Sequence, residues 1–419
     1  MDTLLRRDAD AIVAAAIRAV QPDAAVRRAL EGKEFPGRVL LVAAGKAAWQ
    51  MAKAAKDTLG SRIEKGVVVT KYDHVMGPIE GVECWEAGHP VPDENSFLGT
   101  RKALALTEGL TERDTVLFLL SGGGSALFEK PLVPGPVLQD VTNQLLACGA
   151  DIVEINTIRK RLSGVKGGRF AQHCAPAQVF TVVLSDILGD PLDMIASGPA
   201  CPDSSTCAQA VAIGEKYGLK LSDEVWELLR QETPKALSNV TTQINGSVRE
   251  LCAAAEKVCR ELGYEPVLLT DQLTCQAKEA GSFLASILKT HAGTGKNLAF
   301  IAGGETVVQL TGKGKGGRNQ ELALSAAAGI EGIPGAAVFS VGSDGTDGPT
   351  GAAGGYCDWQ TADTLRAQGI DIFQVLRDND AYHALQKCGG LIVTGPTGTN
   401  VNDVAAALLR NPENTPVGN

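Results

Sequence analysis

Gly303–Gly348 reads GGETVVQLTGKGKGGRNQELALSAAAGIEGIPGAAVFSVGSDGTDG. A strand-like run (Thr306 to Leu310) enters a glycine loop carrying Lys313, Lys315 and Arg318. A run with helical character follows (Asn319 to Ala328), then an apolar strand-like run (Ala336 to Val341) that ends on Asp344 and Asp347. Strand, loop, helix and strand in that order form the repeating unit of an α/β fold.

The same unit recurs outward in both directions. Val39–Ala44 (VLLVAA) stops at Gly45-Lys46 before a helical run, Ala47 to Leu59. Thr115–Leu120 (TVLFLL) stops at SGGGS, and Val179–Leu184 (VFTVVL) stops at SDILGD. Gly66–Thr70, Pro266–Leu269, Leu298–Ala302 and Leu391–Thr394 complete the strand series. The runs starting near 116, 179, 298 and 337 are nearly continuous in apolar residues rather than alternating. Strands covered on both faces read this way, which predicts mostly parallel sheets flanked by helices. Helices are expected over Ala9–Leu30, Arg101–Leu110, Val137–Cys148, Cys207–Tyr217, Val248–Leu262 and Asp403–Leu409.

A chain of 419 residues exceeds one ordinary core, so two domains are expected. The polar, Thr/Asn-rich stretch Glu232–Ser247 is the expected boundary. It gives an N-terminal Rossmann-like domain over 1–240 and a C-terminal α/β domain over 241–419, with the last strand and helix free to return to the first domain.

A net charge of −9 argues against nucleic acid as a main partner. The ten cysteines form no C-x-x-C pair, as expected of reduced cytosolic thiols. Acidic residues near the N-terminus argue against a leader peptide, and no apolar run could span a bilayer. A soluble, cytoplasmic protein is expected.

Against this acidic background the local basic and glycine-rich junctions stand out. Lys46 sits where a strand meets a helix start, a place the helix dipole disfavours for a cation. Either an anion shares the site or the lysine is solvated. Ser121, Gly122, Gly123, Gly124 and Ser125 follow a core strand, and their amides and hydroxyls could converge on an oxyanion. Most of the cations in Asn156–Arg169 read as a solvated helix face, but Lys166 lies beside two glycines and is a candidate for substrate anions. Asp186 is the first acid out of its strand, where α/β proteins place ligands, and could act as a base or metal ligand. Asp190 could equally cap a turn.

The Lys313–Arg318 loop is built to hold phosphate oxygens, and Asp344 with Asp347 could hold their magnesium. The loop also matches G-x-G-x-x-G, so a nicotinamide-dependent oxidoreductase is the rival reading. The lysines and the doubled acid count against it. Thr397 and Asn400 could contact a nucleotide, while Asn402 or Asp403 could simply cap a helix. His89 lies in a rigid turn and could be structural.

These segments together resemble the class II glycerate 2-kinases, the family with glycerate kinase and MOFRL domains. The resemblance rests on GKAA at 45–48, GHPVPDENS at 88–96, SGGGSAL at 121–127 and INTIRKRLSGVKGGR at 155–169. It continues through LSDILGD at 184–190, IASGP at 195–199, GGETVV at 303–308, GKGGRNQELAL at 314–324, SDGTDGPTGAAG at 343–354 and TGPTGTNVND at 394–403. It implies ATP-dependent phosphorylation of D-glycerate at its 2-hydroxyl, with the site in a cleft between two domains. The alternative, hydroxypyruvate reduction, has sometimes been attached to this family.

On this reading Lys46, Asp186 and Arg318 are catalytic. Ser121–Ser125, Lys166, Asp190, Glu305, Lys315, Gly316, Gly317, Asn319, Thr397 and Asn400 bind substrate or nucleotide, and Asp344 and Asp347 bind Mg2+. Which glycine loop takes ATP and which takes glycerate stays open. The expected partners are small molecules, with neither nucleic acid nor membrane, and a homodimer is allowed.

Overall fold

The computed structural model describes residues 1–411. The chain forms two compact units, one of residues 22–245 and the other of residues 1–21 together with the chain from Gly246 onward.

Six strands build the sheet of residues 22–245: β1 (Val39–Ala44), β2 (Ile63–Lys71), β3 (Val82–Ala87), β4 (Thr115–Leu120), β5 (Gln178–Leu184) and β6 (Val240–Gly246), in the order β3-β2-β1-β4-β5-β6. Every pairing among β1 to β5 is parallel. Leu40, Val42 and Ala44 of β1 enter one core cluster, while Val39, Leu41 and Ala43 enter another. Successive side chains point to opposite faces, so both faces of this strand are covered, which is why VLLVAA carries no polar alternation. Phe118, Phe128 and Phe170 pack with ring centroids 4.8–5.5 Å apart beneath the β4 exit.

The second sheet contains β7 (Glu265–Leu273), β8 (Leu298–Gly304), β9 (Ala336–Gly342), β10 (Gly354–Asp358), β11 (Leu391–Ile392) and β12 (Asp403–Leu409), ordered β11-β10-β9-β12-β8-β7. β7, β8, β9 and β11 share one direction. β12 lies between β8 and β9 and is antiparallel to both, and β10 is antiparallel to its neighbours.

Asp403–Leu409 is therefore a strand and not the expected helix. DVAAALL has helical propensity, but pairing on both edges and full burial override it. Thr306–Leu310 is not a strand: only Val307 makes an isolated bridge, and Val307 and Leu310 stay exposed. The expected helix over 9–30 is two, Thr3–Ala19 and Pro22–Leu30, the second starting on a proline that needs no helical amide partner there. The first helix packs with the unit that contains β7–β12: its buried Asp8 accepts from Tyr264 Oη at 2.8 Å and from Arg410. Among the described residues no helix is long and apolar enough to cross a membrane.

Candidate active site

Because β1 to β5 run parallel, the loops leaving β1, β3, β4 and β5 emerge at one end of the sheet, where open α/β sheets bind ligands. Lys46 N–H donates to the Gly122 carbonyl at 2.9 Å, and Ala47 N–H donates to Ser121 Oγ at 3.0 Å. The β1 and β4 exits are thus one structure, with Ser121 as its tie.

Gly122 and Gly123 bring three side chains onto this loop. A Cβ on Gly122 would fall 2.2 Å from Asp186 Oδ2, and one on Gly123 would fall 3.0 Å from His89 Nε2 and 3.2 Å from Lys46 Cγ. Gly123 also has φ +83°, a left-handed conformation that glycine adopts without strain. The sequence therefore folds so that Lys46, His89 and Asp186 border two adjacent residues of SGGGS. Burial, then the charges of Lys46, Lys71 and His74, push the His89 imidazolium down from its ordinary value.

The floor of this region is held by polar contacts. Ser125 Oγ lies 3.1 Å from Ser197 Oγ, which donates to Asn156 Oδ1 at 2.9 Å, and the Arg159 guanidinium donates to the Ser125 carbonyl at 3.2 Å. Ala196 and Ser197 both have positive φ, so the IASGP turn holds two non-glycine residues in a strained conformation. Asp190, also at positive φ, keeps one carboxylate oxygen enclosed without a hydrogen-bond partner among the described residues.

Lys166 does not join this group. It is 0% exposed, its ammonium pairs with Glu129, and it donates to the Phe128 carbonyl at 3.3 Å. Burial pushes its pKa down to about 8 despite the Glu129 charge. Its expected role on substrate anions is corrected to a buried internal ion pair.

In the other unit, Arg318 opens the helix Arg318–Ile330. Its Nε and Nη2 donate to the two Asp403 oxygens at 2.5 and 3.0 Å, and Nη1 donates to Glu305 at 3.0 Å. Glu305 also accepts from Asn402 at 3.2 Å. Burial would lower the Arg318 pKa, but the Asp403 and Glu305 charges raise it, so the guanidinium is held charged and oriented. A guanidinium has five N–H groups. Three are used among the described residues, which leaves two on a side chain 34% exposed.

The first part of the glycine loop, residues 311–315, has amides bound within the chain. Gly312 N–H donates to Asn379 Oδ1 at 2.9 Å, Gly314 N–H to the Asp378 carbonyl at 2.8 Å and Lys315 N–H to Asp380 Oδ1 at 2.8 Å. The glycines allow the loop to lie against the turn at 378–380, whose two carboxylates would repel a phosphate. Lys315 Nζ stacks 4.7 Å from the centroid of the Tyr382 ring. Gly316 and Gly317 N–H make no hydrogen bond among the described residues.

The helix N-terminus that follows already holds an anion, Asp347. This carboxylate accepts from Asn319 N–H at 3.1 Å and Gln320 N–H at 2.9 Å, and from both side-chain amides. Asn319 in turn accepts from Ser340 Oγ at 2.5 Å. Burial pushes Asp347 up to about 6, partly offset by those bonds. With both oxygens committed, Asp347 does not fit the expected magnesium site, and Asn319 is its holder rather than a ligand contact. Asp344 accepts from Thr346 N–H at 2.9 Å, and no cluster of three metal-ligating side chains occurs among the described residues. Thr397 Oγ1 donates to the Ser343 carbonyl at 2.6 Å and so shapes its own loop, while Asn400 stays exposed and accepts from Asn402 N–H at 3.3 Å.

The sequence carries no signal for Ser197 and Asn156, and in it His89 and Asp403 read only as a turn residue and a helix cap. The signal for His89 was its place in the exit of a strand. β3 (VECWEA) alternates polar residues and lacks the continuous apolar pattern of the other strands, so in the sequence His89 reads only as a turn.

Residues 8–230 match a domain of unknown function (DUF4147), and residues 298–403 match the MOFRL family. A D-glycerate 2-kinase from Thermotoga maritima is 55% identical over 97% of this chain and 98% of its own. A glycerate 2-kinase from Pyrococcus horikoshii is 41% identical over 95% and 96%. The crystal structure of a Thermotoga maritima glycerate kinase superposes with a TM-score of 0.94 at 54% identity, covering 98% of this chain and all of the other.

Proposed function

The chain belongs to the class II glycerate 2-kinase family and phosphorylates D-glycerate at its 2-hydroxyl; from this premise we propose that ATP, carried as its magnesium salt, is the donor. Magnesium enters here with the substrate nucleotide, since the Asp344–Asp347 pair does not offer a resident site.

Phosphoryl transfer asks a protein for positioning and charge neutralisation more than for covalent chemistry. Asp186 supplies an acceptor for the 2-hydroxyl proton. Lys46, which leaves β1 with β4 between it and β5, supplies a cation at the same loop. Arg318, clamped by Asp403 and Glu305, presents two N–H donors in a fixed plane, the geometry that suits carboxylate or phosphoryl oxygens. Rigid donors of this kind need no reorganisation when charge develops, which is where electrostatic catalysis gains most.

The observation that carries this reading is the placement of Asp186 and Lys46 over adjacent glycines of the SGGGS loop. Incubation with D-glycerate, ATP and magnesium, followed by phosphorus NMR, is expected to show 2-phosphoglycerate. A parallel incubation with NADH and hydroxypyruvate should leave NADH unconsumed. NADH oxidation without phosphorylated product would overturn the kinase reading.

A further inference from the structure

We propose that His89 is a third substrate-contacting residue of the Lys46–Asp186 site, hydrogen-bonding through Nε2 to an oxygen of the bound hydroxy acid. The inference deepens the kinase reading and rests on it.

His89 lies in the loop after β3, between Gly88 and Pro90. Its ring edge borders the loop that Asp186 and Lys46 also border: Cδ2 and Nε2 lie 2.9 and 3.0 Å from the point where a Gly123 Cβ would sit. Neither ring nitrogen has a hydrogen-bond partner among the described residues. The other histidines with a ring hydrogen bond, His74, His173 and His383, bond to a carbonyl or a carboxylate of the chain. A half-buried imidazole with both nitrogens unspent, aimed at a loop that also faces a lysine and a carboxylate, is a group left for something that binds there.

The chemistry of the contact follows from the neighbours. Burial, and then the charges of Lys46, Lys71 and His74, oppose a positive charge on the ring. Asp93, whose carboxylate would lie 3.1 Å from a Cβ on Gly88, already accepts from Tyr72 at 2.7 Å. Asp186 faces the adjacent glycine. A neutral imidazole offers one donor and one acceptor, which suits a hydroxyl or carboxylate oxygen of a small hydroxy acid. Gly123 has no side chain to exclude the ring, so the same glycine opens the loop and admits the histidine.

The test uses His89→Ala and His89→Gln, because a glutamine amide can reach the place of Nε2 while alanine cannot. The wild type is first shown to phosphorylate D-glycerate, which checks the reading beneath this one. His89→Ala is then expected to lower kcat/KM for D-glycerate by about 10–100-fold, the worth of one hydrogen bond in a charged site. KM for ATP and the Tm should hold, and His89→Gln should recover most of the loss. If His89→Ala stays within a few-fold of an active wild type, the proposal fails while the kinase reading stands. If both variants lose activity equally and melt earlier, His89 only packs the turn, and the proposal fails in that way too.

Discussion

The Asp186 carboxylate lies against Gly122 so closely that a single added methyl group would come within 2.2 Å of Oδ2. The glycine is therefore what permits the acid to stand at the loop. Gly122→Ala must displace the carboxylate. Its turnover of D-glycerate is expected to fall by about 10²–10³, as expected when a group acting in the transition state is misplaced. Asp186→Asn should fall as far. Because the site is at the sheet's rim, the Tm should move little. Normal turnover by Gly122→Ala would remove Asp186 from the reaction.

Arg318 and Asp403 form a fork-to-fork pair, with Glu305 on the remaining arm. A lysine can match the charge at this position but not the plane. Arg318→Lys is expected to lose nearly as much kcat as Arg318→Ala, on the order of 10²-fold or more. Asp403→Asn should lower kcat less, by loosening the guanidinium while leaving its charge. Steady-state kinetics of the three variants check this, and a fully active Arg318→Lys would show that charge alone suffices.

Lys166 and Glu129 are both 0% exposed, and they neutralise each other inside the core. Removing one partner strands a buried charge, so Lys166→Met is expected to cost about 3–5 kcal/mol of stability. Replacing both, as Lys166→Met with Glu129→Leu, should restore most of it. The double variant should also keep its kcat, since this lysine faces no substrate. A stable but inactive double variant would return Lys166 to the site.

These cases show where the sequence speaks and where it is silent. VLLVAA, TVLFLL and VFTVVL declare buried strands because nothing polar interrupts them, and they form β1, β4 and β5 within a residue of their expected limits. The loops at their ends follow, and with them Lys46, Ser121–Ser125 and Asp186. DVAAALL gives no such signal. Its strand character comes from β8 and β9, both far away in the chain. Val240–Gly246 (VTTQING) reads as a linker because it is polar, yet it closes one edge of the first sheet. The glycine loop at 312–317 looks like a phosphate cradle because glycine and lysine are local. Its neighbours Asp378, Asn379 and Asp380 are more than 60 residues away, and only the fold reveals that they have taken the amides of Thr311, Gly312, Gly314 and Lys315. Periodicity reports what a segment buries, and it does not report which partner arrives.

Asp347 offers a test of sign. Its carboxyl is pushed up to about 6 in the folded chain, from an ordinary value of 3.8, chiefly because it is only 4% exposed. Between those two values the folded protein holds a proton that the unfolded chain has released. Stability from this group therefore falls as pH rises from about 4 to about 6 and is level above that. Asp347→Asn cannot titrate. The stability of the wild type relative to Asp347→Asn should accordingly increase as the pH is lowered through this window, by on the order of 1–3 kcal/mol. Urea unfolding of both proteins at several pH values measures the difference directly. The asparagine also retains only one acceptor oxygen for the Asn319 and Gln320 amides, so the variant should be the less stable of the two at every pH in the series. A wild type that instead loses stability relative to Asp347→Asn on acidification would mean that the helix N-terminus holds the ionised carboxylate more strongly than burial opposes it. Asp347 would then have a lowered pKa and would remain a plausible partner for a cation.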